Sequence, residues 1–231
     1  MNACLGALVV RPEPDNARTV ARLRAGGGAA LAWPLFAPAP VAWDVPDVAA
    51  HDALLVTSAN AVRLGGPRLA RLAMLPVVAV GAETAAVAAA AGFTVAAIGT
   101  GDVAAALAAG RAIGLERPLH LAGREHVDSG QPTTIVYASA DVATDAVAFA
   151  AAAAGRIVLL HSVRAATRVA ALIPAHREAT GIAALSAKVR AAAGDNWGVA
   201  LVADVPTDAA LCALVCQRAI DPTTCGRDKR P

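Results

Sequence analysis

The chain has 231 residues, a formal net charge of +2, 57% hydrophobic and 16% charged residues, and only 3% aromatics. So apolar and weakly charged a chain collapses, which excludes disorder as its main state, and its charge is too small for a long basic nucleic-acid surface. Alanine carries the hydrophobicity with 63 residues, so the expected core is made of small aliphatic side chains and closely packed helices.

In chain order, the apolar run Leu5–Val10 predicts a strand and Asp15–Ala25 a helix stopped at Gly26-Gly27-Gly28. A strand over Ala29–Trp33 leads into an extended proline-rich segment, Trp33–Pro40. Strand Ala53–Val56 precedes a helix over Asn60–Ala73, strand Val77–Val80 a helix over Glu83–Ala91, and strand Phe93–Ile98 a helix over Asp102–Ile113. Strand Pro118–Leu121 is followed by a second extended run, Gln131–Ala143, holding a strand at Thr133–Tyr137. Helix Asp141–Ala154, strand Ile157–Leu160, helices Arg164–Leu172 and Ser186–Ala193, strand Val199–Ala203 and helix Thr207–Arg218 complete the chain. The tail Thr223–Pro231 reads as frayed.

Alternating strands and helices, with strands that are continuously apolar, predict an α/β fold of parallel sheets covered on both faces. The two extended segments divide it into two such domains. Residues 1–33 and 144–231 form a discontinuous first domain, 42–130 a second, and 34–41 with 131–143 the connections. A weak internal repeat points the same way: Leu54–Arg63 and Leu159–Arg168 each read as a strand, a serine and a helix bearing arginine. Two such units facing one another would make a bilobal protein with a cleft.

The uncharged stretch Thr84–Gly101 is long enough for a membrane span, but its alanines, threonines and Gly92 read better as a helix and a strand. No signal peptide is visible, because Arg11 and Glu13 interrupt the N-terminal apolar run. The four cysteines, Cys4, Cys212, Cys216 and Cys225, form no CxxC pair and no zinc spacing. A reduced cytoplasmic protein with no structural metal is expected.

Ligands of parallel sheets bind beyond the carboxyl ends of the strands. Arg11, Thr57, Ser58, Asn60, Gly81, Thr84, Gly123, Arg124, Ser162, Arg164 and Ser186 fall there. Hydroxyls and exposed amides at helix starts, with arginines nearby, suit a ligand with several carboxylates or phosphates. Ser58, Thr84, Ser162 and Ser186 are equally good N-caps, which any α/β protein needs. Tyr137, the single tyrosine, lies on the return crossover and could donate a proton to a leaving group; an ordinary strand aromatic is the plain alternative. The five histidines form no nucleophile–base signature, and no Walker, GxGxxG, GxSxG or HExxH motif is present.

Taken in order, these motifs resemble the uroporphyrinogen-III synthase family. The matching segments are Val10-Arg11-Pro12, Asp52–Val62, Val80–Ala85 with Ala91-Gly92-Phe93, His120–Arg124, Val136-Tyr137, His161–Ala166, Leu185-Ser186 and Pro206–Leu211, spanning about residues 8 to 214. The resemblance implies two α/β domains joined by a two-stranded ladder, with an active site in the cleft between them. It implies a cytoplasmic monomeric lyase without metal or organic cofactor. That lyase closes hydroxymethylbilane into uroporphyrinogen III, losing water and inverting the last pyrrole ring. It further implies hydroxymethylbilane as the small-molecule partner, transient contact with hydroxymethylbilane synthase, and no nucleic-acid or membrane partner. On this resemblance Tyr137 assists departure of the hydroxyl group. Arg11, Thr57, Ser58, Asn60, Gly81, Thr84, Gly123, Arg124, Ser162, Arg164 and Ser186 bind substrate.

The chain departs from the family pattern at three places. Val10 stands where a hydroxyl residue is common, Leu185-Ser186 lacks a preceding glycine, and Arg124–Tyr137 is short for the helix expected there. A non-catalytic bilobal binder of a polyanion uses the same residues and is the alternative. A response-regulator-like domain is disfavoured, because the first strand lacks an acidic cluster at its end.

Overall fold

The computed structural model describes residues 6–220, so Cys4, Cys225, Leu5 and the tail Thr223–Pro231 lie outside the described residues. In chain order the strands and helices are β1 (Gly6–Val9), α1 (Asp15–Ala25), β2 (Ala30–Ala32), β3 (Phe36–Pro40), β4 (Ala53–Val56), α2 (Ala59–Leu64), β5 (Val77–Ala79), α3 (Ala82–Ala90), β6 (Val95–Ile98), α4 (Val103–Arg111) and β7 (Pro118–Gly123). They continue with β8 (Thr133–Asp141), α5 (Ala146–Ala153), β9 (Arg156–Leu160), α6 (Val163–Leu172), β10 (Gly181–Ala184), α7 (Ala187–Ala192), β11 (Val199–Val202) and α8 (Asp208–Ile220). This is the α/β class read from the sequence.

The chain divides into two compact units: unit 1 from the described parts of Met1–Ala37 and Asp141–Pro231, and unit 2 from Pro38–Ala140. In unit 1 the strands run in the order β11-β10-β9-β1-β2, and every pairing is parallel. On one face Leu8, Val158, Leu160 and Ile182 meet Phe149 of α5, Ala166 and Val169 of α6 and Val189 of α7. On the other, Ala7, Val9, Ile157 and Leu159 meet Val20 and Leu23 of α1 and Leu211 and Val215 of α8. Both faces are thus buried, which is why these strands are apolar throughout.

The sheet that runs through unit 2 has the order β3-β8-β7-β4-β5-β6, with β8, β7, β4, β5 and β6 parallel. One face, with Leu54, Val56, Val77 and Leu121, packs on Val62, Leu69, Leu72, Ala85 and Phe93. The opposite face is smaller: Ala53, Leu55 and Val78 meet Ala106, Val103 and Leu107 of α4. Among the described residues, α4 is the one helix in that cluster.

Four expectations need correction. The helix expected over Asn60–Ala73 ends at Leu64, and Pro67–Leu72 is a separate 3-10 turn. Gly66 takes φ +70°, a left-handed conformation, and Pro67 cannot continue a helical hydrogen-bond ladder. The helix expected from Asp141 starts at Ala146, where Asp145 caps it; Asp141 ends β8, and its carboxylate binds Arg164 and Arg168. Strand β10 went unread because Gly181-Ile182-Ala183-Ala184 has little intrinsic strand preference, yet it lies fully buried between β9 and β11. Thr84 does not cap α3: Gly81 occupies that position, and Thr84 sits inside the first turn, buried. Among the described residues, no helix is long and apolar enough to cross a membrane, and the stretch Thr84–Gly101 holds most of α3 and all of β6.

Candidate active site

In unit 2 the strand ends surround a cavity of about 810 Å³, a size typical of small-molecule sites. Thr57 and Ser58 enter it from the end of β4, Asp102 and Val103 from the start of α4, Gly123 from the end of β7, and Tyr137 from β8. The loop between β7 and β8 supplies the remaining wall, including His126 and Ser129. Parallel neighbours usually need a longer, helical crossover. Here β8 is staggered and its first residue, Thr133, pairs with His120, so the chain falls back only about three residues (~10 Å). This loop replaces the helix that the family resemblance implied.

Gly123 and Tyr137 are placed by one irregularity. Ala122 pairs with Ile135, but Gly123 pairs with Tyr137, leaving Val136 as an extra residue. Such a bulge re-aims the side chain that follows it. The half-buried Tyr137 ring lies across Gly123: a Cβ there would stand 2.5 Å from Tyr137 Cζ and 2.8 Å from its Oη. No side chain fits at position 123 unless the ring moves.

Below Thr57 lies His120, which sequence reading passed over. It is fully buried, with Nε2 3.0 Å from Thr57 Oγ1 and Nδ1 3.0 Å from Ser129 Oγ. The His126 ring meets it edge-on at 5.4 Å. Burial, assisted by His126 and opposed by Asp128, lowers the His120 pKa to about 4, so the ring is neutral near pH 7. The available signal was a histidine inside the apolar strand Pro118–Leu121, because a buried imidazole needs partners for both nitrogens.

The charge of the cavity differs from expectation. Asp102, Glu125 and Asp128 line it, and among the described residues no lysine or arginine does. Asp102 also caps α4 by accepting the Ala105 N–H at 2.7 Å, and Asp128 accepts the Gly130 N–H at 2.8 Å. Of the expected substrate residues, Thr57, Ser58 and Gly123 line the cavity together with Tyr137, while Asn60, Gly81, Thr84 and Arg124 do not. Ser58 caps α2, accepting the Asn60 N–H at 3.2 Å. Arg124 has an exposed side chain, and its backbone N–H donates to Tyr137 O at 2.9 Å.

The remaining candidates belong to unit 1. Ser162 and Ser186 cap α6 and α7. Arg164 pairs with Asp141 at 2.7 Å and stacks on Phe36, its guanidinium 4.5 Å from the ring centre. Arg11 bonds Asp15 at 2.8 Å and approaches Asp208 at 3.4 Å. Asp208 also takes Arg22, the Thr19 hydroxyl and His161 Nε2, the last at 2.7 Å. Burial and the Arg11 guanidinium push His161 down to about 4, opposed by a hydrogen bond to the Leu159 backbone and by the Asp15 charge. The arginines at these strand ends are therefore already neutralised. Among the described residues, no group of three His, Cys, Asp or Glu side chains is placed to hold a metal ion.

The fold and the cavity define an α/β protein of two parallel-sheet units, one carrying a small-molecule-sized site at the carboxyl ends of its strands. Residues 17–129 match the family model described as uroporphyrinogen-III synthase HemD. A solved uroporphyrinogen-III synthetase from Helicobacter pylori 26695 superposes with a TM-score of 0.51 at 17% identity, covering 92% of this chain and 99% of that one. A uroporphyrinogen III synthase from Thermus thermophilus gives a TM-score of 0.40 at 17% identity, covering 92% of this chain and 97% of that one. No curated protein matches the sequence. The resemblance carried by the motifs is thus found again by a family model and by fold. Thr57, Ser58, His120 and Gly123 lie inside the matched segment; Tyr137 lies beyond it.

Proposed function

We propose that the chain is a uroporphyrinogen-III synthase, a lyase that cyclises hydroxymethylbilane with loss of water and inversion of the terminal ring. The observation that carries this is Tyr137 laid across Gly123 in a cavity shared with Thr57 and Ser58, in a chain whose residues 17–129 match that family. The Tyr137 hydroxyl donates a proton to the departing hydroxymethyl oxygen; the C–O bond breaks, water leaves, and an azafulvene cation remains. The terminal pyrrole attacks through its substituted carbon, and the spiro intermediate reopens and recloses with that ring inverted. The final proton loss restores aromaticity and returns a proton to the phenolate. Pyrrole nitrogens supply most of the electronic push, so the protein contributes chiefly by positioning.

The acidic lining fits this chemistry better than it fits passive capture of a polyanion. Asp102, Glu125 and Asp128 would stabilise the positive charge that develops on the ring system. The substrate carboxylates then need other partners. Thr57, Ser58, Ser162 and Ser186 would offer hydroxyls, Arg124 a charge, and Arg11 and Arg164 charges for which Asp15, Asp208 and Asp141 compete. Asn60, Gly81 and Thr84 would act from behind the cavity wall. The enzyme would work in the cytoplasm as a monomer without metal or organic cofactor, taking substrate from hydroxymethylbilane synthase.

Product isomers test the proposal. Hydroxymethylbilane generated in situ closes unaided mainly to isomer I. With the purified chain, isomer III should predominate after oxidation and chromatography, whereas only isomer I from folded protein refutes the enzyme. Tyr137→Phe should lower turnover at least ~10-fold with the melting temperature unchanged; full turnover by that variant would remove its role.

A further inference from the structure

His120 does more than fill a strand. Both of its nitrogens face hydroxyls that line the cavity, Thr57 Oγ1 and Ser129 Oγ, each at 3.0 Å. A neutral imidazole carries one N–H and one lone pair. One of the two hydroxyls must therefore accept from the ring and the other must donate to it. The accepting hydroxyl keeps its proton for the cavity, and the donating one keeps only lone pairs. The ring thereby makes the two ends of its hydrogen-bond chain unequal.

The Ser129 end sets the direction. Ser129 Oγ already accepts the Gln131 N–H at 3.4 Å. An oxygen that accepts one hydrogen bond becomes a stronger donor in the next. Ser129 then donates to Nδ1, Nε2–H donates to Thr57 Oγ1, and the Thr57 proton is left for a ligand.

We infer that His120 is a positioning residue: anchored through Ser129, it holds Thr57 as a hydrogen-bond donor toward an oxygen acceptor of the bound ligand. The donor chain stands on the geometry alone, whereas a tetrapyrrole oxygen as its target rests on the proposed function. Either a carboxylate or the departing hydroxyl group would satisfy it.

Nitrogen-15 NMR on histidine-labelled protein reads the chain without any activity. At pH 7 His120 should show the Nε2–H tautomer, and Ser129→Ala should shift it toward a mixture. A His120 locked as Nδ1–H, or unmoved by Ser129→Ala, overturns the inference. In the isomer assay, Thr57→Val should raise KM about fivefold, the size of one hydrogen bond. His120→Leu should do the same, and the double variant should do no more than either alone. His120→Gln, which keeps an N–H near the Nε2 position, should recover most of the loss. Additive losses, or no rescue by glutamine, contradict the mechanism. Should His120→Leu not fold, Thr57→Val, Ser129→Ala and the tautomer measurement still decide. Wild-type protein that makes no isomer III defeats the proposed reaction and leaves the tautomer result to judge the device by itself.

Discussion

Unit 1 and unit 2 are both parallel sheets, yet they end their strands differently. In unit 1 helices cover both faces, α5, α6 and α7 on one and α1 and α8 on the other. Its charged groups beyond β1 and β9 are tied together through Asp208, which takes Arg11, Arg22, Thr19 and His161. In unit 2 α4 is the one helix among the described residues on the smaller face, and a cavity opens beside it at the strand ends. Its polar groups are hydroxyls, one phenol, the His126 imidazole and carboxylates rather than paired arginines. The same architecture gathers its strand-end charges into ion pairs in one unit and borders a cavity in the other. Ser58 and Ser162 cap helices alike, so what surrounds a strand end, more than its residue type, sets the two units apart.

The largest effect tests unit 1 as the packed unit. Phe149 is fully buried, with the Trp33 ring edge-on at 5.7 Å. Phe149→Ala should cost about 3–5 kcal/mol in urea unfolding, the usual range for a buried aromatic. A loss under ~1 kcal/mol would show that this core does not carry the unit.

Acidification comes next and reaches both units. The His120 pKa is depressed from 6.5 to about 4, so above pH 6.5 the folded and unfolded states are both neutral. As pH falls from 6.5 toward 4 the unfolded chain binds a proton that the native state excludes, and stability drops by up to about 3 kcal/mol. His126 and Asp128 face this ring, and His161 in unit 1 adds a loss of the same sign. His120→Gln should flatten its share of the fall between pH 7 and 4.5 in denaturant titrations. An unchanged slope in that variant would place the acid sensitivity elsewhere.

The smallest effect lies on the surface of unit 2. Arg63 and Glu83 approach at 3.5 Å with side chains 50% and 81% exposed. Arg63→Ala should change stability by less than ~1 kcal/mol, and it should leave the isomer ratio intact because Arg63 is not among the cavity-lining residues. A collapse of isomer III in this variant would move the substrate site away from the cavity described above.

Much of the fold was legible because apolar runs bounded by polar residues are local signals. Ala53–Val56 sits between Asp52 and Thr57 and was read with its observed bounds, as was α1 over Asp15–Ala25. Strand β10 was not legible, since Gly181-Ile182-Ala183-Ala184 owes its state to its neighbours in the sheet. The end of α2 was written in Gly65-Gly66-Pro67 but masked by the apolar spacing that continues through Leu69 and Leu72. For the candidate site, Thr57, Ser58, Gly123 and Tyr137 could be named from motif order. Their surroundings could not: the carboxylate of Asp208 reaches Arg11 from the far end of the chain, and the bond between His120 and Thr57 joins residues 63 positions apart. The bulge that sets Tyr137 on Gly123 is likewise a property of pairing between strands.

The isomer ratio from Gly123→Val, measured beside wild type, tests the central claim most directly. A side chain at that position meets the Tyr137 ring at 2.5 Å, so the ring must leave its place and the cavity must change shape. The account predicts isomer III from wild type and only isomer I from a folded Gly123→Val protein. Isomer III from that variant at the wild-type rate would contradict the assignment of this cavity as the place where the last ring is inverted.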